Sequence, residues 1–296
     1  MENKKTLYFM AGLPRAGSTM LSAILNQNPR FYSGPSSPVV GGMLALEQNF
    51  NQDELYFAYP KKQQVEEYVR DLIYYYYSDV KQPVVFDKNR SWTNRPAFIE
   101  SYFNVQPKIL CPVRSILDIL TSFIDMHRRN PYQVGGKLNF LDEGLVKTGQ
   151  PLTDENRCDT LCGPMGIVGQ SAQGIKEMLM SNKEKQLHLI EYDDLVNDPE
   201  TTMKKVYDYL GEEYYKKHDF KNLVNLHQEN DAGVYGFADM HQVRKELKKV
   251  SKKPSELLPE SIVTKYKNQE FWRNLDTVAD INKFDGRPML GTPSLK

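Results

Sequence analysis

Short apolar runs alternate with longer amphipathic stretches along the chain. The runs at residues 6–11, 83–87, 107–113 and 186–192 have the length and apolar content of buried strands. The segments between them repeat apolar residues at helical spacing. Strands that alternate with helices in this way are joined by crossover connections, which make the strands parallel. The pattern therefore predicts an α/β fold with three layers, α/β/α, around a mostly parallel central sheet of about five strands.

Two helices have ends that can be placed from the sequence. One is predicted to begin at Ser115, whose hydroxyl group is suited to cap it. Another is predicted to begin at Asp198, with Pro199 at its first helical position, and to end at Gly211. Residues 34–42 are rich in Gly, Pro and Ser, and this composition predicts a loop.

The chain has 296 residues, of which 40% are hydrophobic, so it can build one large core. We expect a single domain over residues 1–296. Residues 128–170 contain Gly, Pro, Asn and Asp and show little periodicity, which indicates an insertion or lid that binds the acceptor. Residues 212–296 are expected to form a helical C-terminal appendage.

Composition narrows the class of protein. Lys and Arg number 38, as do Asp and Glu, so the net charge is zero and we expect no nucleic-acid partner. No apolar stretch approaches the roughly 20 residues that cross a bilayer, so we expect no membrane partner. Three cysteines are too few for a disulfide scaffold, and the N-terminus shows no signal-peptide pattern. A cytoplasmic location is the expectation.

The segment Gly12–Thr19, GLPRAGST, lies between a predicted strand and a predicted helix. Glycines permit a tight turn whose backbone N–H groups converge on an anion, and the helix N-terminus adds its positive dipole. This is a P-loop-like site. The loop of nucleotide triphosphatases has Lys before its Ser or Thr, whereas this chain has Ser18 before Thr19 and carries its cation at Arg15. A small-metabolite kinase and a plain strand–helix turn are the alternatives.

Two further segments carry cations at predicted strand ends. Arg114 follows the strand at 107–113, at the sheet edge where α/β proteins bind ligands, and Ser122 lies about two helical turns later. Arginine offers a bidentate fork for a phosphate group, and serine adds a hydroxyl donor. Lys88 follows the strand at 83–87 and is predicted to reach the same edge.

Together these segments resemble the family of sulfotransferases that use 3′-phosphoadenosine 5′-phosphosulfate (PAPS). GLPRAGSTML is similar to the family's 5′-phosphosulfate loop, and VRSILDILTS to its 3′-phosphate motif, with Arg114 and Ser122 at the family's spacing. EYDDLVNDP is similar to a third motif, in which Tyr192 would lie near the adenine, and Arg244 loosely matches a basic segment that closes over the 3′-phosphate.

The resemblance implies transfer of a sulfuryl group from PAPS to a hydroxyl or amine acceptor by in-line displacement. It implies adenosine 3′,5′-bisphosphate (PAP) as the second product, and a small molecule or peptide as acceptor. Arg15 and Lys88 would act on the transferring group. The residues expected to bind the cofactor are Arg15, Ala16, Gly17, Ser18, Thr19, Arg114, Ser122, Tyr192 and Arg244.

The catalytic base does not follow from the resemblance. Many family members have His two positions after the strand-end lysine, and this chain has Arg90 there. We predict Asp87 as the base because it adjoins Lys88, although strand alternation points neighbouring side chains apart. Three other candidates stay open: Asp125, His127 and Glu47. A catalytically silent nucleotide-binding module also remains possible, and no metal site is predicted.

Overall fold

The computed structural model of the protein describes residues 5–130, 137–181, 183–249 and 252–274. Parts of the predicted insertion at 128–170 and of the predicted appendage at 212–296 lie outside these residues. The division of the chain into one domain with these two additions stays a prediction.

Five parallel strands form a single central sheet, as predicted. They are β1 (Thr6–Met10), β2 (Phe31–Ser36), β3 (Val84–Lys88), β4 (Ile109–Val113) and β5 (Leu187–Glu191). Their order across the sheet is β2-β3-β1-β4-β5, and every pair is parallel. The carboxyl ends of β1, β3 and β4 therefore meet at the middle of one sheet edge, where ligands bind in folds of this type.

Helices cover both faces of the sheet. The first six are α1 (Ser18–Leu25), α2 (Val39–Gln52), α3 (Glu54–Ala58), α4 (Lys62–Tyr76), α5 (Pro96–Phe103) and α6 (Ile116–Arg129). Then come α7 (Phe140–Lys147), α8 (Asp154–Cys162), α9 (Ile167–Met180), α10 (Tyr192–Asn197) and α11 (Pro199–Leu210). The last described helices are α12 (Asp231–Tyr235), α13 (Pro254–Leu257) and α14 (Glu260–Tyr266).

Strand alternation divides the core into two layers. On β1, Phe9 faces a cluster built with α2, α4, α5, α6 and α9, whereas Tyr8 and Met10 face a second cluster built with α1 and α11. β3 alternates in the same way, with Val85 in the first cluster and Phe86 in the second. Together the two clusters give the predicted α/β/α arrangement.

The prediction of a loop at residues 34–42 is wrong. Residues 31–36 form β2, and α2 begins at Val39. β2 is an edge strand, and its register against β3 shifts between Ser33 and Ser36, on either side of Gly34 and Pro35. An irregular edge strand tolerates Gly and Pro, and for this reason these two residues lie here in a strand and not in the predicted loop.

The structure confirms the predicted ends of α11 but not the predicted cap of α6. The Asp198 carboxylate accepts a hydrogen bond from the Thr201 N–H, and Gly211 ends α11 in the left-handed conformation, so both of these ends are confirmed. Ser115 stands at the start of α6, but its side chain makes no capping hydrogen bond. Instead, the Ile116 N–H donates to a Glu270 carboxylate oxygen at 3.0 Å.

Residues 128–170 show little periodicity in the sequence, yet much of this range is helical in the structure. The end of α6, the whole of α7 and α8, and the start of α9 fall within this range.

No helix in the described part of the chain is long and apolar enough to cross a membrane.

Candidate active site

The loop between β1 and α1 turns back closely over β4. A Cβ atom on Gly12 would lie 2.4 Å from the Pro112 backbone oxygen, so only glycine fits there. Arg15 and Gly17 both have positive φ, at 58° and 91°. A Cβ on Gly17 would lie 3.1 Å from the Tyr192 ring. The loop thus holds its backbone in a conformation that brings it directly against both β4 and Tyr192.

A cavity of about 210 Å³ opens at the carboxyl edge of the sheet, beside this loop. Of the residues that the structure describes, eight basic and three acidic ones line it. The chain as a whole is neutral, so positive charge is concentrated here. The basic residues are Arg15, Lys88, Arg90, Arg114, Arg129, Arg244, Lys248 and Lys252. Such a lining favours an anionic ligand.

Most of the predicted site residues meet in this cavity. Its walls include Arg15, Gly17, Ser18, Thr19, Lys88, Arg114, Ser122, Tyr192 and Arg244. Ala16, within the loop, is buried and does not line the cavity.

Arg15 joins the loop to two other parts of the wall. Its Nε donates to Ser122 Oγ at 3.1 Å, and its Nη1 donates to the Met240 carbonyl oxygen. Burial, with the positive charge of nearby Arg114, lowers the pKa of Arg15 to about 10. The guanidinium therefore remains charged at neutral pH, in a poorly solvated place where its charge acts strongly.

Arg114 is buried where β4 ends. Its Nη1 donates to the Arg15 carbonyl oxygen at 3.0 Å, and its guanidinium lies 4.2 Å from the centre of the Tyr192 ring. The Asp118 carboxylate is 3.8 Å from its Nε. These contacts fix the plane of the guanidinium, which is what a bidentate contact to a phosphate requires.

Lys88 and Asp87 point to opposite faces of β3, as strand alternation requires. Lys88 lines the cavity and is buried, and this burial lowers its pKa. Asp87 lies in the core and does not line the cavity. Its carboxylate accepts hydrogen bonds from Ser37, Tyr77 and Trp92, at 2.5, 2.8 and 2.6 Å. The geometry gives no support to the predicted role of Asp87 as base and indicates a structural one.

The other three candidates for the base are engaged elsewhere. Glu47 accepts a hydrogen bond from Tyr102 at 2.6 Å and does not line the cavity. His127 is buried beside Asp142 and does not line it either. Asp125 does line it, but its carboxylate is held by Lys252 at 2.8 Å and by Arg129 at 3.2 Å. Burial raises the pKa of Asp125, but the contacts with Lys252 and Arg129 outweigh this effect and hold the pKa below its usual value.

The C-terminal part of the chain brings residues to the cavity that were not predicted to belong to the site. Lys248 and Lys252, part of a basic run that is typical of a solvated surface, line the wall. His241 lines the same cavity and forms a cluster with Glu229 and Asp231, in which one carboxylate oxygen or ring nitrogen of each residue lies within 4.8 Å of the others. No sequence motif indicated this cluster, because its residues come from a largely irregular stretch of the chain.

A second cavity of about 160 Å³ adjoins the first, and Ser36 and Arg90 line both. Its other walls come from the turn at Arg90–Asn94 and from α9, and are mostly polar: Asn89, Ser91, Asn94, Ile167, Gln170 and Ser171. Burial lowers the pKa of Arg90, which lies between the two cavities.

A parallel α/β sheet with a glycine loop and a surplus of cations at its carboxyl edge defines a protein that binds a ligand with phosphate-like groups. The family model described as the sulfotransferase domain matches residues 5–269. The chain therefore belongs to the sulfotransferase family, as its motifs predicted. This finding gives no support to the kinase alternative.

Several solved sulfotransferase structures are similar to the chain. A mouse sulfotransferase in complex with PAP matches with a TM-score of 0.50 and 13% identity, covering 94% of this chain and 89% of that one. The sulfotransferase domain of the curacin biosynthetic pathway gives 0.49 and 15%, covering 95% and 98%. The sulfotransferase domain of the Synechococcus PCC 7002 olefin synthase gives 0.43 and 18%, covering 97% and 98%. No curated protein matches the chain.

Proposed function

We propose that this protein transfers a sulfuryl group from PAPS to a hydroxyl or amine acceptor and releases PAP. The observation that carries the proposal is the meeting of two basic sites in one cavity. One is the glycine loop with Arg15, and the other is Arg114 at the end of β4. PAPS has an anionic group at each of two positions, the 5′-phosphosulfate and the 3′-phosphate, so it suits a cavity with two such sites. The mouse structure with the same fold contains PAP.

Each part of the cavity has a role in this proposal. Backbone N–H groups of residues 16–19 and the hydroxyls of Ser18 and Thr19 bind the 5′-phosphate. Arg114 and Ser122 bind the 3′-phosphate, and Arg244, which lines the same cavity, also contacts this group. Tyr192, which lies against Gly17 and Arg114, positions the adenine.

The reaction is a displacement at sulfur. The acceptor oxygen or nitrogen bonds to the sulfur as the bond from sulfur to the phosphate oxygen breaks, and the electron pair of that bond stays on the phosphate. Arg15 and Lys88 stabilise the negative charge that moves onto this oxygen. As in phosphoryl transfer, positioning and charge neutralisation supply most of the catalysis.

The acceptor in this proposal is a small molecule or a peptide that enters through the second cavity, since Ser36 and Arg90 line both. A cytoplasmic location belongs to the same proposal, because Cys111, Cys158 and Cys162 are free thiols.

A binding experiment tests the proposal. PAP without magnesium should raise the melting temperature, and AMP should do so far less, because only PAP has the 3′-phosphate that Arg114 would recognise. At 100 times its dissociation constant, PAP should stabilise the protein by about 2.7 kcal/mol. Equal effects of AMP and PAP would remove the basis for the proposal, and a preference for Mg-ATP would favour a kinase.

The same experiment on Arg114→Ala identifies the group that recognises the 3′-phosphate. A charge-assisted hydrogen bond contributes roughly 1.5–3 kcal/mol, so calorimetry should show PAP affinity reduced by about one to two decades. Arg70→Ala is the control, because Arg70 pairs with Asp71 on the exposed side of α4 and does not line the cavity. Unchanged PAP affinity in Arg114→Ala would make Arg114 a purely structural residue.

A further inference from the structure

One wall of the cavity contains a histidine, His241, that is held by a carboxylate. The His241 Nδ1 lies 2.6 Å from Asp231 Oδ1, and the His241 backbone N–H donates to Asp231 Oδ2 at 2.7 Å. Both oxygens of one carboxylate therefore fix the same residue. Glu229 Oε2 lies 3.5 Å from the same ring nitrogen. Asp231 is buried, whereas His241 lines the cavity.

These contacts decide which ring nitrogen can take a proton. An ionised carboxylate only accepts hydrogen bonds, so the Nδ1 of His241 carries the hydrogen that it donates to Asp231. In the neutral imidazole the other nitrogen, Nε2, then has a free lone pair. This is the tautomer that a general base requires, with a carboxylate behind it to stabilise the imidazolium after proton transfer.

The cluster also lies beside the proposed reacting centre. Glu229, which is next to His241, acts electrostatically on both Lys88 and Arg90. Met240, the neighbour of His241 in the chain, accepts the hydrogen bond from Arg15. The imidazole is thus close to the cations that would hold the transferring group.

We propose that His241 is the general base of the reaction and that Asp231 is its positioning residue; this inference rests on the proposed function. As the acceptor oxygen or nitrogen bonds to sulfur, its proton passes to Nε2 of His241. The electron pair of the breaking sulfur–oxygen bond goes to the phosphate, and the imidazolium is stabilised by Asp231 and Glu229. His241 supplies what Asp87, Glu47, His127 and Asp125 do not, since it is a base in the cavity with a nitrogen left over.

Turnover of PAPS tests the proposal in three variants. His241→Asn places an amide nitrogen near the position of Nδ1, so it can keep the contact with Asp231 while removing the base. Asp231→Asn removes the carboxylate that sets the tautomer. His188→Asn is the matched control, since His188 stacks on Tyr209 at β5 and does not line the cavity. PAP affinity is measured in each by calorimetry.

Release of PAP from PAPS is followed with water, benzyl alcohol and 4-nitrophenol as acceptors. His241→Asn should lower turnover by about 10²–10⁴ with water or the alcohol, the usual range for a general base. The loss should be smaller with 4-nitrophenol, because a substantial fraction of this acceptor is already ionised near neutral pH and needs no base. PAP affinity should change by less than about threefold. Wild-type turnover in His241→Asn, with PAP still bound, would overturn the proposal and leave the proposed function standing. Failure of the wild type to bind PAP would instead refute the proposed function.

A second readout needs no acceptor. Nitrogen NMR of ¹⁵N-histidine protein, with the His241 signals assigned by their loss in His241→Asn, should show hydrogen on Nδ1 and a bare Nε2 in the neutral ring. Asp231→Asn should increase the Nε2–H tautomer. A wild-type ring with hydrogen on Nε2 would overturn the proposal. So would His241 signals or turnover that change when EDTA is added and recover with Zn²⁺, because Glu229, Asp231 and His241 would then be ligands of a cation.

Discussion

At Lys88, burial and function act in opposite directions. Placing an ammonium group in a poorly solvated site disfavours its charge, and burial accordingly lowers the pKa of Lys88. The negative charge of Glu229 acts the other way and favours the protonated form. A cation in such a site therefore destabilises the folded protein. In the same poorly solvated site, however, it interacts strongly with a negative charge that develops during the reaction.

Substitution of Lys88 should separate binding from chemistry. If Lys88 meets the oxygen that bridges sulfur and phosphate, its interaction strengthens as that bond breaks. Lys88→Ala should then lower turnover by about 10²–10³, the effect of losing one electrostatic stabiliser, while PAP affinity changes much less. The measurement is PAP release from PAPS at saturating PAPS, together with calorimetry of PAP binding.

Lys147→Ala is the control for this experiment, because Lys147 pairs with Glu143 on the exposed side of α7 and does not line the cavity. Lys88→Arg should not restore turnover, since a planar guanidinium cannot replace a compact ammonium group. Wild-type turnover in Lys88→Ala would place this lysine outside the reacting centre.

Among the helices, α11 is joined to the segment that follows it through a half-buried histidine, His218. The His218 Nε2 lies 3.0 Å from the Tyr207 hydroxyl of α11, and its Nδ1 lies 3.2 Å from Gln27 Oε1. Burial lowers the pKa of His218 from its usual 6.5 to about 4. The folded protein thus resists protonation at a pH where the unfolded chain takes up the proton.

This shift predicts how stability varies with pH. Between pH 6.5 and about 4, the unfolded state binds more protons at His218 than the folded state, so this contribution to stability is complete above pH 6.5 and is lost as the pH falls. His218→Gln keeps a hydrogen-bonding side chain but does not titrate. Its melting temperature should fall less steeply than that of the wild type over this range, as measured by scanning calorimetry. Parallel curves for the two proteins would contradict the prediction.

The elements that could be predicted are those whose signals are local. Asp198, Pro199 and Gly211 mark the ends of α11 by interactions within the helix itself, and the four predicted strands are short apolar runs that the sheet buries. The elements that were missed depend on distant partners. β2 exists because it pairs with β3 in spite of Gly34 and Pro35.

The same distinction applies to the site. The glycine loop, Arg114 and Ser122 are short segments with fixed spacing, and the structure brings them together at one cavity. The contact between Asp231 and His241 depends on how a largely irregular segment of the chain folds. Likewise, the first N–H group of α6 donates to the carboxylate of Glu270, which is more than 150 residues away in the sequence. No periodicity or spacing in the sequence encodes such contacts.

For the whole molecule, the C-terminal segment raises the question of whether residues 1–296 form one cooperative unit. Its last described turn, Phe271–Arg273, is held to the end of β5, where Glu191 accepts hydrogen bonds from Trp272 at 2.9 Å and from Arg273 at 2.7 and 2.8 Å. The Glu270 carboxylate binds the first turn of α6. Because these contacts reach two elements of the core, we expect the segment to unfold together with the sheet.

The two tryptophans of the chain test this expectation from two places. Trp92 is fully buried beside β3, where its Nε1 donates to Asp87 at 2.6 Å, and Trp272 reports on the C-terminal segment. In Trp92→Phe and in Trp272→Phe, the fluorescence of the remaining tryptophan and the far-UV circular dichroism are followed through urea unfolding. For a single cooperative unit, the two signals within each variant share one midpoint and one slope, even if the variants differ in stability. If Trp272 in Trp92→Phe loses its native fluorescence at a lower urea concentration than the circular dichroism changes, the C-terminal segment unfolds on its own. The single-domain prediction would then be wrong, and the part of the cavity wall that lies within residues 239–249, with Lys252, would have to be treated as a separately stable element.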